Sequence, residues 1–172
     1  KKYLFAVLTF NFAGFLFVLL LQLIQQWLPL NPEGLPNVPF HLALNTAISF
    51  MTNTNWQSYG GETTMSYATQ MLGLGVQNFL SAATGIAVLL ALARGITIKL
   101  SDKLGNFWVD MVRSTIYVLL PLSILLSVVL MGQGVVQSFS PYEKITTIEG
   151  AEQTIPSGPA ASQIAIKQLG TN

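Results

Sequence analysis

One stretch of the sequence, TNTNWQSYGGE (Thr52–Glu62), concentrates neutral oxygen-bearing side chains in an otherwise apolar chain. Thr, Asn and Gln occupy nearly all of positions 52–57, and Glu62 is the one charged residue of the stretch. Neutral oxygens can replace the hydration shell of a monovalent cation, and their neutrality lets the ion leave again. A divalent hard cation would be better served by several carboxylates. The stretch therefore predicts binding of K+ or a similar ion. The alternative is an ordinary polar surface loop in which Asn and Gly form turns.

The composition is that of a membrane protein. Of the 172 residues, 51% are hydrophobic and 9% are charged, whereas soluble domains have about 25% charged residues. A net charge of +1 without a run of like charges argues against a nucleic-acid partner. The absence of cysteine and the single histidine, His41, argue against disulfides, thiolate chemistry and a His-rich metal site.

Three apolar runs are long enough to cross about 30 Å of hydrocarbon, which takes roughly 20 residues. They lie at about 3–28, 68–93 and 107–131. Four prolines between residues 28 and 39 must end the first run. The apolar run 40–51 is too short to cross, so we expect a re-entrant pore helix followed by an extended filter loop at 52–62. Irregular backbone is tolerated at membrane depth only where it lines a wet cavity or is buried in protein.

The basic residues predict the orientation of the three spans. If the three spans are real, five basic residues fall on one side of the membrane and the glutamates fall on the other. The basic side carries Lys1, Lys2, Arg94, Lys99 and Lys103. By the positive-inside rule this side is cytoplasmic. The loop 52–62 is then expected on the outer side.

A weak internal repeat links the two ends of the sequence. AISFMTNT (47–54) aligns without a gap on AIKQLGTN (165–172), and each segment follows an apolar span and a proline-bearing loop. We therefore expect one complete module of span, pore helix, filter and span at 1–106. An incomplete second module follows at 107–172, with a span at 107–131, an outer loop at 132–159, a pore helix at 160–169 and the start of a filter at 170–172. The first residue is Lys rather than Met, which fits a fragment of a longer protein.

At this level of detail the residues point to a known family. The stretch NTAISFMTNTNWQSYGGETTMSYATQMLGLGVQNFLSAATGIAVLLALARG, with LGNFWVD and GPAASQIAIKQLGTN, closely resembles the potassium-binding, channel-like subunit of the bacterial Kdp potassium-transporting P-type ATPase. The resemblance runs along nearly the whole chain. It implies an all-α membrane protein of repeated modules related to the Trk, Ktr and HKT potassium transporters, of which this chain is a fragment.

The resemblance also implies site residues, an ion and partners. Asn53, Thr54, Asn55 and Gln57 become positions of the first filter, and Thr171 and Asn172 begin the second. K+ is the transported ion, and no organic cofactor is expected. The partners are a separate P-type ATPase subunit and small accessory subunits (KdpB, KdpC and KdpF) in the bacterial inner membrane, with the filter loops facing the periplasm.

The chain itself is expected to be non-hydrolytic, because it has no G-x-x-x-x-G-K-[ST] run and no obvious aspartate phosphorylation motif. It would take K+ from outside and pass it to the pump subunit. Two alternatives stay open at this point. The first is a passive or ion-coupled K+ transporter of the Trk, Ktr and HKT superfamily, and the second is a non-conducting membrane scaffold.

Several polar residues within or beside the spans carry structural expectations. Asp110 and Arg113 have the i,i+3 spacing of a local ion pair, and Ser81 and Gly85 have small-xxx-small spacing, which permits close helix packing. Two groups of amides are also expected to be structural. Gln22, Gln25 and Gln26 are predicted to be interfacial, and Gln70, Gln77 and Asn78 are predicted to hydrogen-bond to other helices.

Overall fold

The structure, a computed structural model, describes residues 1–97 and 104–170. The described residues are mostly helical. The helices are α1 (Lys2–Leu23), α2 (Phe40–Met51), α3 (Gly61–Thr64), α4 (Thr69–Thr97), α5 (Phe107–Gly132) and α6 (Ala160–Gly170). By length and composition α1, α4 and α5 are able to cross a membrane, as the sequence predicts, and α2 is a shorter apolar helix. Lys99 and Lys103, used above to predict orientation, lie outside the described residues.

The first span helix ends earlier than predicted. α1 stops at Leu23 rather than near residue 28, and a 3-10 turn follows at Gln25–Trp27. The hydrogen bonds explain the early end. The Gln22 carbonyl accepts the N–H of Val38 at 3.1 Å, and the N–H of Gln26 donates to Asn37 Oδ1 at 2.9 Å. Since the returning proline-rich segment takes both groups, the i to i+4 bond that would extend α1 cannot form.

The apolar side chains form two clusters, one in each half of the molecule. The first lies between α1 and α2 and includes Val18, Ala47 and Phe50. The second lies between α4 and α5 and is centred on Phe107, which is 1% exposed. On α4 the buried side chains of the second cluster are small except for Phe79, which lets helices approach closely. Because the outward faces of α1 and α5 are apolar and exposed, they fit contact with lipid.

The loop 132–159, which is predicted to lie on the outer side, contains structure that the all-α prediction missed. Two exposed strands, β1 (Glu143–Thr146) and β2 (Glu152–Ile155), pair antiparallel. Gly150 closes their turn with φ +83°, a conformation that suits glycine. The loop is tied to the helical body, since Tyr67 donates to the carbonyls of Ser140 at 2.8 Å and Ser157 at 2.7 Å.

Gln25 is fully buried and joins three segments, so the prediction of an interfacial side chain is wrong for it. Its Nε2 donates to the carbonyls of Pro36 at 2.7 Å and Thr64 at 2.8 Å. Its Oε1 accepts from the N–H of Ser66 at 3.1 Å and from the hydroxyl of Thr69 at 2.9 Å. Burial of a primary amide is tolerated because every one of these bonds is made. Gln22 is buried as well, whereas Gln26 is exposed.

Replacing Gln25 by leucine is expected to lower the free energy of unfolding of the complete subunit by roughly 2 kcal/mol or more, because four polar groups lose their partner and two of them, on Ser66 and Thr69, are buried. Thermal unfolding of the detergent-solubilised protein measures the effect. Gln26→Leu is the matched control, since it makes the same chemical change at the adjacent exposed position. Equal stability of the two variants would contradict a structural role for the Gln25 amide.

Asp110 pairs with a different arginine from the one that the i,i+3 spacing predicts. Arg94 Nη1 and Nη2 donate to its two carboxylate oxygens at 2.6 and 2.8 Å, and Arg113 makes no ion pair within the part of the chain that the structure describes. The prediction of an Asp110–Arg113 pair is therefore wrong. Tyr3 donates to Ala87 O at 2.6 Å and to Asp110 Oδ2 at 3.2 Å. The cluster thus joins α1, α4 and α5 at one end of the bundle.

Candidate functional site

The short helix α2 delivers the Thr/Asn/Gln stretch. It begins directly after Pro39, whose ring suits a helix start, and its 12 residues make it about 18 Å long. α2 ends at Met51, so the last carbonyls of the helix lie beside the loop that follows. The C-terminal end of a helix carries partial negative charge, which favours a cation nearby.

Ser49, in the last turn of α2, holds the start of the loop. Its carbonyl accepts from the Thr54 N–H at 3.0 Å and from the Thr54 hydroxyl at 3.1 Å, and the Thr52 hydroxyl approaches the same oxygen at 3.2 Å. Its own hydroxyl donates to Trp56 O at 3.1 Å. A carbonyl that would lack a partner at the helix end is thereby satisfied. Sequence reasoning did not single out Ser49; its signal is a serine in the last turn before the polar run.

The loop backbone departs from the extended conformation that the sequence predicts. Asn53 and Asn55 have φ values of +60° and +52°, in the left-handed region. Asparagine adopts this region more readily than most residues, because its short polar side chain can hydrogen-bond locally. Capture of the Thr54 N–H by Ser49 requires a tight turn here, so the extended chain is not available. The asparagines of the stretch therefore serve the backbone as well as supplying oxygens.

The side chains of the predicted first-filter residues lie together after α2, but most of them bind protein groups. Asn53 Oδ1 accepts from the Ser81 hydroxyl of α4 at 3.0 Å, and Thr54 is bonded to Ser49 as described. Asn55 is 6% exposed. Gln57 is exposed, and its Nε2 donates to the Tyr59 hydroxyl at 3.1 Å. Side chains that are held in this way fix the loop and leave backbone carbonyls as the candidate ion ligands.

The electrostatics of the loop are close to neutral. Burial raises the pKa of Tyr59 to about 12, with hydrogen bonds from Gln57 and Thr46 opposing the shift, so the phenol is uncharged at neutral pH. Glu62 is exposed at the end of the stretch. Among the described residues no group of three or more His, Asp and Glu side chains could hold a metal ion. This set of oxygens suits a weakly held monovalent cation better than a divalent one.

The predicted second-filter residues Thr171 and Asn172 lie outside the described residues. The chain leading to them is described as far as Gly170, the last residue of α6. A Cβ at Gly170 would lie 3.1 Å from the Asn78 carbonyl oxygen and 3.4 Å from Ala82 Cβ. The end of α6 is therefore packed closely against α4, one turn from the place where Ser81 meets the first loop.

A polar cavity of about 250 Å³ lies between the first loop, the start of α4 and α6. Its polar lining comprises Gln57, Glu62, Gln70, Asn78, Gln163 and Lys167. This volume would hold several water molecules at about 30 Å³ each. Gln70 donates to the carbonyl of Gly61, the first residue of α3, at 3.2 Å and to that of Met65 at 2.8 Å, so it braces the segment that leaves the stretch.

The described chain thus has a short helix that ends in a neutral oxygen-rich loop, beside three helices that are long and apolar enough to cross a membrane. The model of the KdpA family, potassium-transporting ATPase A subunit, matches residues 1–172. The chain belongs to this family.

Named relatives of the KdpA family match the whole chain. A potassium-transporting ATPase potassium-binding subunit of Sorangium cellulosum is 62% identical over 181 aligned positions, which cover 100% of this chain and 31% of that protein. The subunit of the same name from Pseudomonas aeruginosa is 59% identical over 172 positions, 30% of its length. That of Citrobacter koseri is 58% identical over 31% of its length. This chain thus spans about a third of the length of these relatives.

Proposed function

We propose that this chain forms part of the K+-selective subunit of an ATP-driven, high-affinity potassium uptake complex, with residues 52–62 as one side of the filter. The observation that carries the proposal is the neutral loop at the end of α2, held by Ser49 on one side and Ser81 on the other. The name of the relatives, potassium-binding subunit, supports the same ion. The chain would bind and pass on K+ but would not hydrolyse ATP.

The ion is coordinated in this proposal mainly by backbone oxygens at positions 53–55 and 57, since the Trp56 carbonyl accepts from Ser49. The hydroxyl of Thr54 and the amide oxygen of Asn53 are engaged with protein groups, so they shape the loop. Neutral carbonyls bind K+ firmly enough for entry and weakly enough for release. The negative end of the α2 dipole adds an attraction for a cation at the same place, as half-helix ends do in other transporters.

A second side of the filter begins after α6 in this proposal, with Thr171 and Asn172. Two features of the packing support a repeated module. The first is that α2 packs on α1 in the same way that α6 packs on α5. The second is that both short helices contact α4. The relatives are about three times as long as this chain, so the remaining sides would come from the rest of the longer subunit. Such an arrangement would be related to that of the Trk, Ktr and HKT transporters.

The proposed partners are a P-type ATPase subunit, KdpB, and the small subunits KdpC and KdpF. The complex would lie in the bacterial inner membrane with the filter loops facing the periplasm. The three long apolar helices support a place in the bilayer, and the words "potassium-transporting ATPase" in the relatives' name support a complex that includes an ATP-hydrolysing subunit.

Potassium uptake by the complete complex in proteoliposomes is expected to require ATP on the pump side and to run against the K+ gradient. Accumulation of radioactive Rb+ or K+ with and without ATP measures this. The passive or ion-coupled alternative makes the opposite prediction, since uptake would then follow the ion gradient without ATP and without the pump subunit.

A further inference from the structure

One turn of α4 contacts both the first loop and the C-terminal end of α6. Ser81, which is 5% exposed, donates its hydroxyl to Asn53 Oδ1 at 3.0 Å, with Asn78 O at 3.3 Å as a second acceptor. On the same turn, the Asn78 carbonyl oxygen and Ala82 Cβ lie 3.1 and 3.4 Å from the position that a Cβ would take at Gly170. These three positions are i, i+3 and i+4, so they lie on one face of the helix.

The contact to Asn53 acts on a residue whose backbone is in a strained region. Asn53 has φ +60°, which costs a non-glycine residue free energy unless its surroundings hold it there. Within the described residues the Ser81 hydroxyl bonds the Asn53 side chain from another helix. Ser49 fixes the next residue, Thr54, from inside α2. The loop conformation is thus held by contacts from two helices, α2 and α4, and the contact from α4 is the single hydroxyl of Ser81.

Ordinary helix packing does not account for Ser81. The small-xxx-small spacing with Gly85 predicts a close helix contact, but a Cβ at Gly85 would meet no atom of the described residues within 4 Å. The described residues therefore place no helix against Gly85. What Ser81 does contact is the first loop.

We propose that Ser81 is a positioning residue for the K+ filter, and that the turn Asn78–Ala82 sets the spacing between the first filter loop and the end of α6. This inference rests on the function proposed above. Ser81 need not touch the ion, because it holds Asn53 and through it the carbonyls of the loop. Since the same turn also packs against the end of α6, a change there alters how the first loop lies relative to that helix. Affinity for K+ and discrimination between K+ and Rb+ should therefore both depend on Ser81.

The test uses K+-dependent ATP hydrolysis by the complete complex. Ser81→Ala is expected to raise the KM for K+ about fivefold, the effect of one buried hydrogen bond, and to reduce the preference for K+ over Rb+, with kcat and the yield of complex unchanged. Ser81→Thr keeps the hydroxyl and should restore most of the affinity. Thr84→Val is the matched control, because Thr84 lies one turn along α4, is 8% exposed and bonds Leu80 O of its own helix at 2.8 Å.

A double-mutant cycle with Asn53→Gly tests the route of the effect. Glycine accepts the positive φ and removes the Ser81 acceptor. In that background Ser81→Ala should change the KM by less than about twofold, because the two groups act through one bond. Full additivity of the two changes would overturn the inference, as would a loss of kcat or of assembled complex with an unchanged KM.

Gln57→Arg, measured in the same assay, tests the filter proposal independently of the positioning role of Ser81. If Gln57→Arg raises the KM for K+ while Ser81→Ala does not, the filter stands and the positioning role of Ser81 is wrong. If neither variant changes the KM in an assembled complex, the loop is not in the ion path, and both proposals fail together.

Discussion

Gln57→Arg in the complete complex raises the K+ concentration needed for half-maximal ATP hydrolysis by at least about tenfold, equivalent to about 1.4 kcal/mol. Gln57 is exposed on the loop that follows Asn53–Asn55, and its side chain lines the polar cavity. Two unit charges about 6 Å apart repel by about 3 kcal/mol at an effective dielectric constant of about 20. A fixed positive charge at position 57 should therefore raise the K+ concentration that is needed by more than the tenfold minimum, even with some screening.

Two further variants separate the added charge from other consequences of the substitution. Gln57→Leu removes the hydrogen bond to Tyr59 without adding charge, so it should change the KM for K+ far less than arginine does. Gln153→Arg makes the same chemical change on the exposed strand β2, away from the first loop, and should leave the KM unchanged. K+-dependent ATPase assays of the three variants decide the matter. An unchanged KM for Gln57→Arg in a correctly assembled complex would make the stretch an outer loop.

The helices were predictable because they follow from local properties of the sequence. The run Phe40–Met51 has the predicted bounds, since Pro39 precedes it and the polar run follows it. Long apolar runs likewise predict α4 and α5 without knowledge of their neighbours. The end of α1 was not predictable in this way, because Val38 and Asn37 compete for its last hydrogen-bonding groups from a segment that returns in space.

The candidate site was predictable in residue type but not in contacts. Neutral oxygens after a short helix can be read from positions 52–57, whereas the bonds to Ser49 and Ser81 depend on how the loop turns and on which face of α4 it meets. The same limit explains the buried role of Gln25, whose four partners come from two separate stretches of sequence, one at Pro36 and one at 64–69. Spacing rules describe neighbours along one helix, and these contacts join different elements.

The ion pair of Asp110 shows most clearly what spacing cannot decide. Arg113 is three residues away on the same helix, yet the bidentate partner is Arg94, 16 residues earlier on α4. Gly105 explains part of this choice, because its φ is +96° and a Cβ there would overlap the Arg94 guanidinium. The lack of a side chain at Gly105 therefore leaves room for the Arg94 guanidinium to reach the Asp110 carboxylate. A bidentate guanidinium–carboxylate pair also has better geometry than a local i,i+3 contact.

Arg94→Gln is expected to lower the thermal midpoint of the complete subunit by several degrees and to reduce the yield of assembled complex. Asp110 is 5% exposed, and removal of its partner leaves a carboxylate that burial penalises. The change also removes the bidentate bond that joins α4 to α5, and Tyr3 of α1 still donates to the same carboxylate. Thermal unfolding in detergent and recovery of complex from membranes are the two measurements.

Arg113→Gln is the control that compares the observed Arg94–Asp110 pair with the Asp110–Arg113 pair that the sequence spacing favours. Arg113 is exposed and unpaired among the described residues, so its replacement should leave the thermal midpoint within about a degree of wild type, as for most surface changes. The double variant Arg94→Gln, Asp110→Asn should recover much of the stability lost by Arg94→Gln, because a neutral amide no longer needs a cation. If Arg113→Gln proved the more destabilising single change, the pairing would be the local one after all, and α4 and α5 would have to be joined by other contacts.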